Sequence, residues 1–422
     1  MDSIIELHHQ GRWRPAAALT ASAHGLRFEY LLDYVFGDRP QQVALGLPVT
    51  TEVTTARPGQ ANTPLAFLWD LVPQGRGRQH LANLLGISAD DPGQDLELAG
   101  HGAFAPIGRL RLDTAVRFYE GQARGSPAPG FTLDDMVRRA DTFVDQLVMH
   151  SMLAAGTPGV QGVAPKFLLT QDGEDRWFPD VALPDARARR HWIVKLPRGR
   201  EPADRRVLRH EGIYLQVAAA CGLRSIPDAR VEQDMLFLPR FDRQVDGAGV
   251  VRLHQESFAA LVGAAGFGRS ASLFALTERL AAVATDPAAE VAEFLCRDAF
   301  NRALRNPDNH LRNSAMQQLA DGTIRLTPLY DTGPMYLDPE LITRTCHWRD
   351  QDGAVIDDWN RILEQLQLAD ALKADVAARM RAFATNRMPR LPGLLQDHGA
   401  DADIVEACRP TIEQQVHAAP AA

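Results

Sequence analysis

The side chains best suited to chemistry in this chain fall in Asn306-Pro307-Asp308-Asn309-His310-Leu311-Arg312-Asn313 and, a little further on, in Leu329-Tyr330-Asp331-Thr332-Gly333. Asp308 and Asn313 have the D-x-x-x-x-N spacing of a base and a metal-binding amide in phosphoryl-transfer loops, and Asp331 follows where a second magnesium ligand belongs. The residue types suit that chemistry. A γ-phosphoryl group needs little covalent assistance, so the work lies in placing an acceptor hydroxyl and neutralising charge on phosphate oxygens. A carboxylate at Asp308 can take the hydroxyl proton, while Asn313 and Asp331 offer the hard oxygen ligands that magnesium prefers. The same residues also populate ordinary polar turns, where Asp and Asn side chains bond their own backbone, and the spacing alone leaves both readings open.

The elements that must position these groups can be read around them. Between loop and acid, Ala315-Met316-Gln317-Gln318-Leu319 and Thr323-Ile324-Arg325-Leu326 flank Ala320-Asp321-Gly322, the pattern of a short hairpin. Upstream, Glu290 to Arg305 carries Val291, Phe294, Leu295, Phe300 and Leu304 at helical spacing, and Pro307 stops that helix where the loop begins. A glycine-rich stretch from Gly156 to Lys166 precedes the strand Phe167-Leu168-Leu169-Thr170; it can bring backbone amides to phosphate oxygens or make a surface turn, and it is not a Walker loop. His191-Trp192-Ile193-Val194-Lys195-Leu196-Pro197 reads as a strand whose lysine needs an anionic partner or an exposed strand end. Glu211 lies in a helix with Leu208, Leu215 and Ala218 on its apolar face, so Lys195 and Glu211 either form the pair that grips nucleotide phosphates or a solvated surface pair. Met235 to Arg243 reads as a strand running out into a link.

Length and composition set the frame. A chain of 422 residues, 45% apolar and 23% charged, has enough apolar content for two or three compact soluble units. A net charge of -8 argues against general nucleic-acid affinity. With no apolar run near the roughly 18 residues needed to span a bilayer and no basic-then-apolar start, the expected location is the cytoplasm, without a membrane role. Cys221, Cys296, Cys346 and Cys408 are scattered, so buried free thiols are expected, and His8-His9 lacks a partner at ligand spacing. Residues 1–125 read as a mixed α/β unit, with Gln42 to Val49 as a strand, Pro64 to Pro73 and His80 to Gly86 as helical pieces, and Pro58-Gly59 and Gly75-Gly77 in loops. Gly125 to Gly130 suits a boundary, and Thr132 caps a helix running through Met136, Ala140, Phe143, Val144 and Leu147 towards Gly156. Helices dominate after Leu253, and the tail beyond Val416 frays.

This order of parts resembles the HipA family of serine/threonine kinases, the toxins of bacterial type II toxin-antitoxin systems. The words that carry the resemblance are Gly159-Val160-Gln161-Gly162-Val163-Ala164-Pro165-Lys166, Ile193-Val194-Lys195-Leu196-Pro197, Arg240-Phe241-Asp242-Arg243, Leu253-His254-Gln255-Glu256, Asn306-Pro307-Asp308-Asn309-His310 with Asn313, and Pro328-Leu329-Tyr330-Asp331. Phe67-Leu68-Trp69-Asp70-Leu71-Val72-Pro73 and Ile107-Gly108-Arg109-Leu110 resemble the family's amino-terminal subdomain, and Asp331 to Trp348, with Leu337-Asp338-Pro339-Glu340, is most similar to the YjjJ-like branch.

The resemblance implies an α/β (α+β) fold: a mixed amino-terminal subdomain (residues 1–125), the nucleotide-binding lobe of a two-lobed kinase-like body (126–245) and a helical catalytic carboxyl-terminal lobe (246–422). It implies ATP and Mg2+ as cofactors, with Asp308 as catalytic base, Asn313 and Asp331 on the metal, Lys195 on the phosphates, and Gln161, Gly162, Val163, Ala164, Pro165 and Lys166 as the phosphate loop. Pro239, Arg240 and Phe241 would line the adenine side, with His310 and Tyr330 flanking the reacting groups. The implied activity is phosphorylation of a host protein, in the best-known members an aminoacyl-tRNA synthetase, and the implied partner is a HipB-like DNA-binding antitoxin through which any DNA contact is indirect. Gly159 stands where many members carry an autophosphorylated serine and Ala164 where they carry glutamine, which leaves Thr157 or Ser151 as alternatives for autoregulation. Two further readings share these residues: a co-repressor in which catalysis is secondary, and a small-molecule phosphotransferase.

Overall fold

The computed structural model describes residues 1–123, 130–138, 166–199, 201–246 and 249–420. Its contacts gather into two compact units, neither of them one continuous stretch: Met1–Lys195 with Pro239–Arg269 and Gln317–Asp321, and Leu196–Leu238 with Ser270–Met316 and Gly322–Ala422.

The first unit begins with a five-stranded antiparallel sheet in the order β4-β3-β2-β1-β5, formed by β1 (Asp2–His9), β2 (Arg12–Ser22), β3 (Gly25–Tyr30), β4 (Thr54–Ala56) and β5 (Leu110–Leu112). Alternation puts Ile5 and Leu7 of β1 inside, against Leu19, Phe28, Leu65, Phe67 and Leu112, with Phe28 edge-on to both Tyr30 and Phe67. Gln42 to Val49 is not a strand. It carries a single bridge, Ala44 to Leu47, because its backbone is satisfied by side chains: Val43 N–H donates to the Tyr30 hydroxyl, that hydroxyl donates to Leu47 O, and Leu45 N–H donates to Glu256 Oε2 at 2.7 Å. Pro64–Asp70 is a 3-10 helix capped by Thr63. Gly75 and Gly77, expected in a loop, open the helix Gly75–Leu85, which Gly86 closes at φ 68° as a left-handed C-cap.

A second antiparallel set in this unit runs β7-β6-β8, from β6 (Lys166–Asp172), β7 (Trp177–Pro179) and β8 (Ala188–Lys195). Thr132 and Asp135 form a capping box on Leu133–Val137; the expected continuation of that helix and the glycine-rich stretch lie outside the described residues. Residues 239–269 fold back on the amino-terminal portion. Asp242 accepts from Gly108 N–H, Arg243 donates to Gly108 O and Pro106 O, and both Ser257 N–H and its hydroxyl donate to Asp70.

The second unit is mostly helical: Pro202–Ala220, Leu273–Val283, Pro287–Ala303, Trp359–Gln365, Asp370–Asn386, Leu391–Asp397 and Ala402–His417. Pro287–Ala303 packs on Leu273–Val283, Asp370–Asn386 and Ala402–His417, and its Val291, Leu295 and Phe300 are fully buried. It starts on an Asp286 cap with Pro287 in its first turn and ends at Ala303, earlier than the expected Arg305. Pro202–Ala220 opens with a Glu201/Asp204 capping box and Pro202, and carries Glu211 half-buried with Leu208, Leu215 and Ala218 buried on the same helix. The expected hairpin is present as Ala315–Gln318 and Ile324–Leu326, with Gln317–Asp321 falling in the first unit and the rest in the second; Thr327 N–H donates to Ala315 O and Gly322 is at φ 91° in the turn. All four cysteines are buried and free, and no described helix is long and apolar enough to cross a membrane.

Candidate active site

The loop that holds Asp308 grows out of the end of Pro287–Ala303. Arg305 turns the chain at φ 56°, with its N–H donating to Arg302 O and Asn306 N–H donating to Asn301 O, the paired bonds of a Schellman stop. A left-handed arginine costs about 1 kcal/mol relative to glycine, and the guanidinium lies 4.2 Å from the Tyr336 ring centroid, a cation–π contact of similar size.

Asn306, 2% exposed, then ties three stretches together. Its Nδ2 donates to Asn301 Oδ1 at 3.0 Å and to Thr332 Oγ1 at 3.4 Å, its Oδ1 accepts from Asp308 N–H at 3.2 Å, and the Thr332 hydroxyl donates to Asn301 Oδ1 at 2.8 Å. Tyr330 completes the arrangement by donating to Arg312 O at 2.8 Å. The main chain of Asp331 is therefore fastened to the loop through the residue before it and the residue after it. Asp331 itself sits at φ 50°, a conformation that aspartate tolerates better than most side chains.

Within the loop the ordinary turn bonds are made by residues other than Asp308. Arg312 N–H donates to His310 Nδ1 at 3.2 Å, so in the neutral ring Nε2 carries the proton, and it faces Asp308 Oδ1 at 3.7 Å. Asn309 braces a neighbouring segment, donating to Cys346 O and accepting from Thr345 N–H and Cys346 N–H. Asn313 donates through Nδ2 to Asp308 O at 3.1 Å. Its Oδ1 is buried and has no hydrogen-bond partner among the described residues. A buried amide oxygen left without a donor is uncommon and costs about 1–3 kcal/mol, unless a cation or water completes it. No cluster of three His, Cys, Asp or Glu suited to a metal occurs among the described residues.

The first unit holds its own group of expected residues. Lys166 and Lys195 are directly opposed across β6 and β8, so two ammonium groups share one face of the sheet, with Lys195 only 4% exposed. Arg240 is enclosed. Its Nε and Nη2 donate to both oxygens of Asp242 at 2.9 and 2.7 Å, its Nη1 donates to Asp180 Oδ2 at 2.9 Å, and its N–H donates to His191 O. Burial opposes the charge of Asp180, but Arg240 and His191 outweigh it and hold the carboxyl well below its usual range. Phe241 O accepts from Gln317, while the Phe241 side chain and Pro239 are half-buried.

Gln161, Gly162, Val163, Ala164 and Pro165, with Gly159, Thr157 and Ser151, lie outside the described residues. Sequence reasoning gave no role to Asn301, Asn306, Asn309 or Thr332. The available signal was the density of asparagines around one carboxylate, more than a simple turn needs.

Comparison with known proteins follows the same residues. Positions 159–388 match the model of the HipA-like C-terminal domain, and positions 11–112 match that of the HipA N-terminal domain. A Sinorhizobium fredii protein named "Putative kinase Y4dM" is 24% identical over 424 residues, covering 94% of this chain and 95% of its own. A chain of the Shewanella oneidensis MR-1 toxin-antitoxin complex of HipA, HipB and operator DNA superposes with a TM-score of 0.66 at 17% identity, over 98% of this chain and 96% of that one, a likeness of fold. Since the carboxyl-terminal domain model alone spans more than half of the sequence, this chain belongs to the HipA family.

Proposed function

We propose that this chain is an ATP- and Mg2+-dependent serine/threonine protein kinase, acting as the growth-inhibiting toxin of a type II toxin-antitoxin pair by phosphorylating a host protein. The observation that carries this reading is Asn313: one side-chain atom braces the Asp308 carbonyl while the buried oxygen is left for a cation. Magnesium-bound ATP, when present, supplies the phosphoryl group and the metal charge. Asp308 takes the proton of the acceptor hydroxyl, His310 Nε2 orients that carboxylate, and Asp331 joins Asn313 on the metal. Lys195 and Lys166, opposed across β6 and β8, serve the phosphates. Gln161 to Pro165 form the phosphate loop. Pro239 and Phe241 serve the adenine side, and Arg240 contributes there through backbone, because its guanidinium is committed to Asp242 and Asp180. In this proposal residues 1–125 form the amino-terminal subdomain, 126–245 the nucleotide-binding lobe and 246–422 the catalytic lobe.

The likeness to the HipA, HipB and operator DNA complex supports a HipB-like antitoxin as partner, with DNA reached through it. Phosphoproteomics of cells expressing wild type against Asp308→Ala tests the proposal. One or a few protein sites should appear only with wild type, together with growth arrest. Arrest that persists unchanged in Asp308→Ala, with no new phosphosite, would replace catalysis with the co-repressor reading.

A further inference from the structure

The stretch Leu337-Asp338-Pro339-Glu340 has no part in the chemistry above, yet the second unit builds a clasp from it. Arg198 Nη1 donates to both oxygens of Asp338 at 3.1 and 3.0 Å, and Nη2 meets Glu340 Oε1. This is not an ordinary surface pair: the Asp338 side chain is 8% exposed and that of Arg198 23%. Asp338 also folds its own segment, accepting from Glu340 N–H through Oδ1 and from Leu341 N–H through its carbonyl, while its own N–H donates to Met335 O. Leu341 sits at φ 54° and is 79% exposed, an uncommon conformation for a leucine.

Both ends of the clasp have consequences for the metal. Arg198 lies in the short connection entering the helix Pro202–Ala220, which carries Glu211, and the backbone and Cβ of Glu211 lie within 3.6–3.8 Å of the position a Cβ on Gly333 would take. Gly333 is two residues after Asp331, and Asp338 is seven. The segment that begins with Asp331 is thus fastened at its start to the loop through Tyr330 and Thr332, rests on the helix at Gly333, and is gripped at its far end by Arg198.

We propose that Arg198, with Asp338 and Glu340, is a positioning clasp that holds the Asp331 segment in its magnesium-binding arrangement. The inference rests on the kinase reading and adds to it a residue that touches neither metal nor nucleotide. A planar guanidinium held by two carboxylates can fix a segment in register, which a point charge does less well, so lysine is a poor replacement.

The test uses the full chain as wild type, Arg198→Ala, Arg198→Lys and Asp338→Asn. In metal-free protein, hydrogen exchange in peptides covering Met335 to Arg344 should quicken by about tenfold in Arg198→Ala and less in Arg198→Lys, with other helices unaffected. The Mg2+-ATP concentration giving half-maximal phosphoryl transfer should rise by about tenfold while kcat at saturation stays within about twofold, the signature of lost binding rather than lost chemistry. Unchanged exchange and unchanged half-saturation would overturn the clasp and leave the kinase reading intact. A fall in kcat and melting temperature without a change in half-saturation would reduce Arg198 to a structural role and also overturn it. Wild type that binds no Mg2+-ATP would remove the kinase reading, and the clasp with it.

Discussion

Asn313 uses one atom to brace its own loop, while its buried Oδ1 has no hydrogen-bond partner among the described residues, which supports the proposal that this oxygen serves a cation. Asn313→Asp should therefore keep Mg2+-dependent nucleotide binding, whereas Asn313→Leu should weaken it by about a hundredfold, measured by titration with a fluorescent ATP analogue. Equal binding in both variants would show that the oxygen is not a ligand. Asn306 acts one step further back. Asn306→Ala removes the acceptor of Asp308 N–H and the link to Thr332, and should slow phosphoryl transfer by about tenfold with little change in melting temperature, because it loosens the base without opening the core. A large fall in melting temperature with transfer unchanged per folded molecule would refute that. At this scale the residues of the proposed ligand set were legible in the sequence, because the proposed phosphoryl transfer would demand particular oxygen ligands at a particular spacing. Asn306 and Thr332 were not, since their meeting spans 26 positions and exists only after folding.

Elements were legible where a pattern and its punctuation agreed, as in His80 to Gly86, closed by its glycine, and the hairpin around Gly322, whereas the opening turn at Gly75 to Gly77 was not. Gln42 to Val49 misled because alternating apolar residues fit a strand equally well, and only the distant Tyr30 and Glu256 decide that its backbone bonds go to side chains. The helix Pro287–Ala303 also carries a charge that no periodicity argument would place. Asp298 is buried, accepts from Trp348 Nε1 and Arg302, and meets Arg344, which holds the segment whose Thr345 and Cys346 bond to Asn309. Burial opposes its charge, but Arg302 and Arg344 outweigh it and bring its pKa from 3.8 to about 2. The stability it contributes is thus present above about pH 4 and is lost as pH falls from there through about 2. Asp298→Asn should cost about 3 kcal/mol at neutral pH by leaving two arginines with an uncharged partner, and the deficit should shrink at pH 3, as read by urea denaturation. A deficit that does not change between those pH values would mean that the pair contributes nothing of the kind.

The whole chain is assembled from interleaved stretches, a property that reading in order does not disclose. Residues 239–269 supply Asp242, Arg243, Glu256 and Ser257 to polar groups at Leu45, Asp70, Pro106 and Gly108, all within the first unit. A fragment of residues 1–123 should accordingly fold poorly despite containing its entire five-stranded sheet, becoming sensitive to protease under conditions where the full chain resists. A fragment as resistant as the full chain would show those bonds to be dispensable. All of the functional reading converges on a divalent cation and ATP meeting Asp308, Asn313 and Asp331, and calorimetric titration of ATP with and without Mg2+, into wild type and Asp331→Asn, addresses it most directly. Saturable binding should appear in wild type only when Mg2+ is present and should be lost or weakened by about a hundredfold in Asp331→Asn. Absence of binding to wild type, or binding indifferent to both Mg2+ and the substitution, would contradict it.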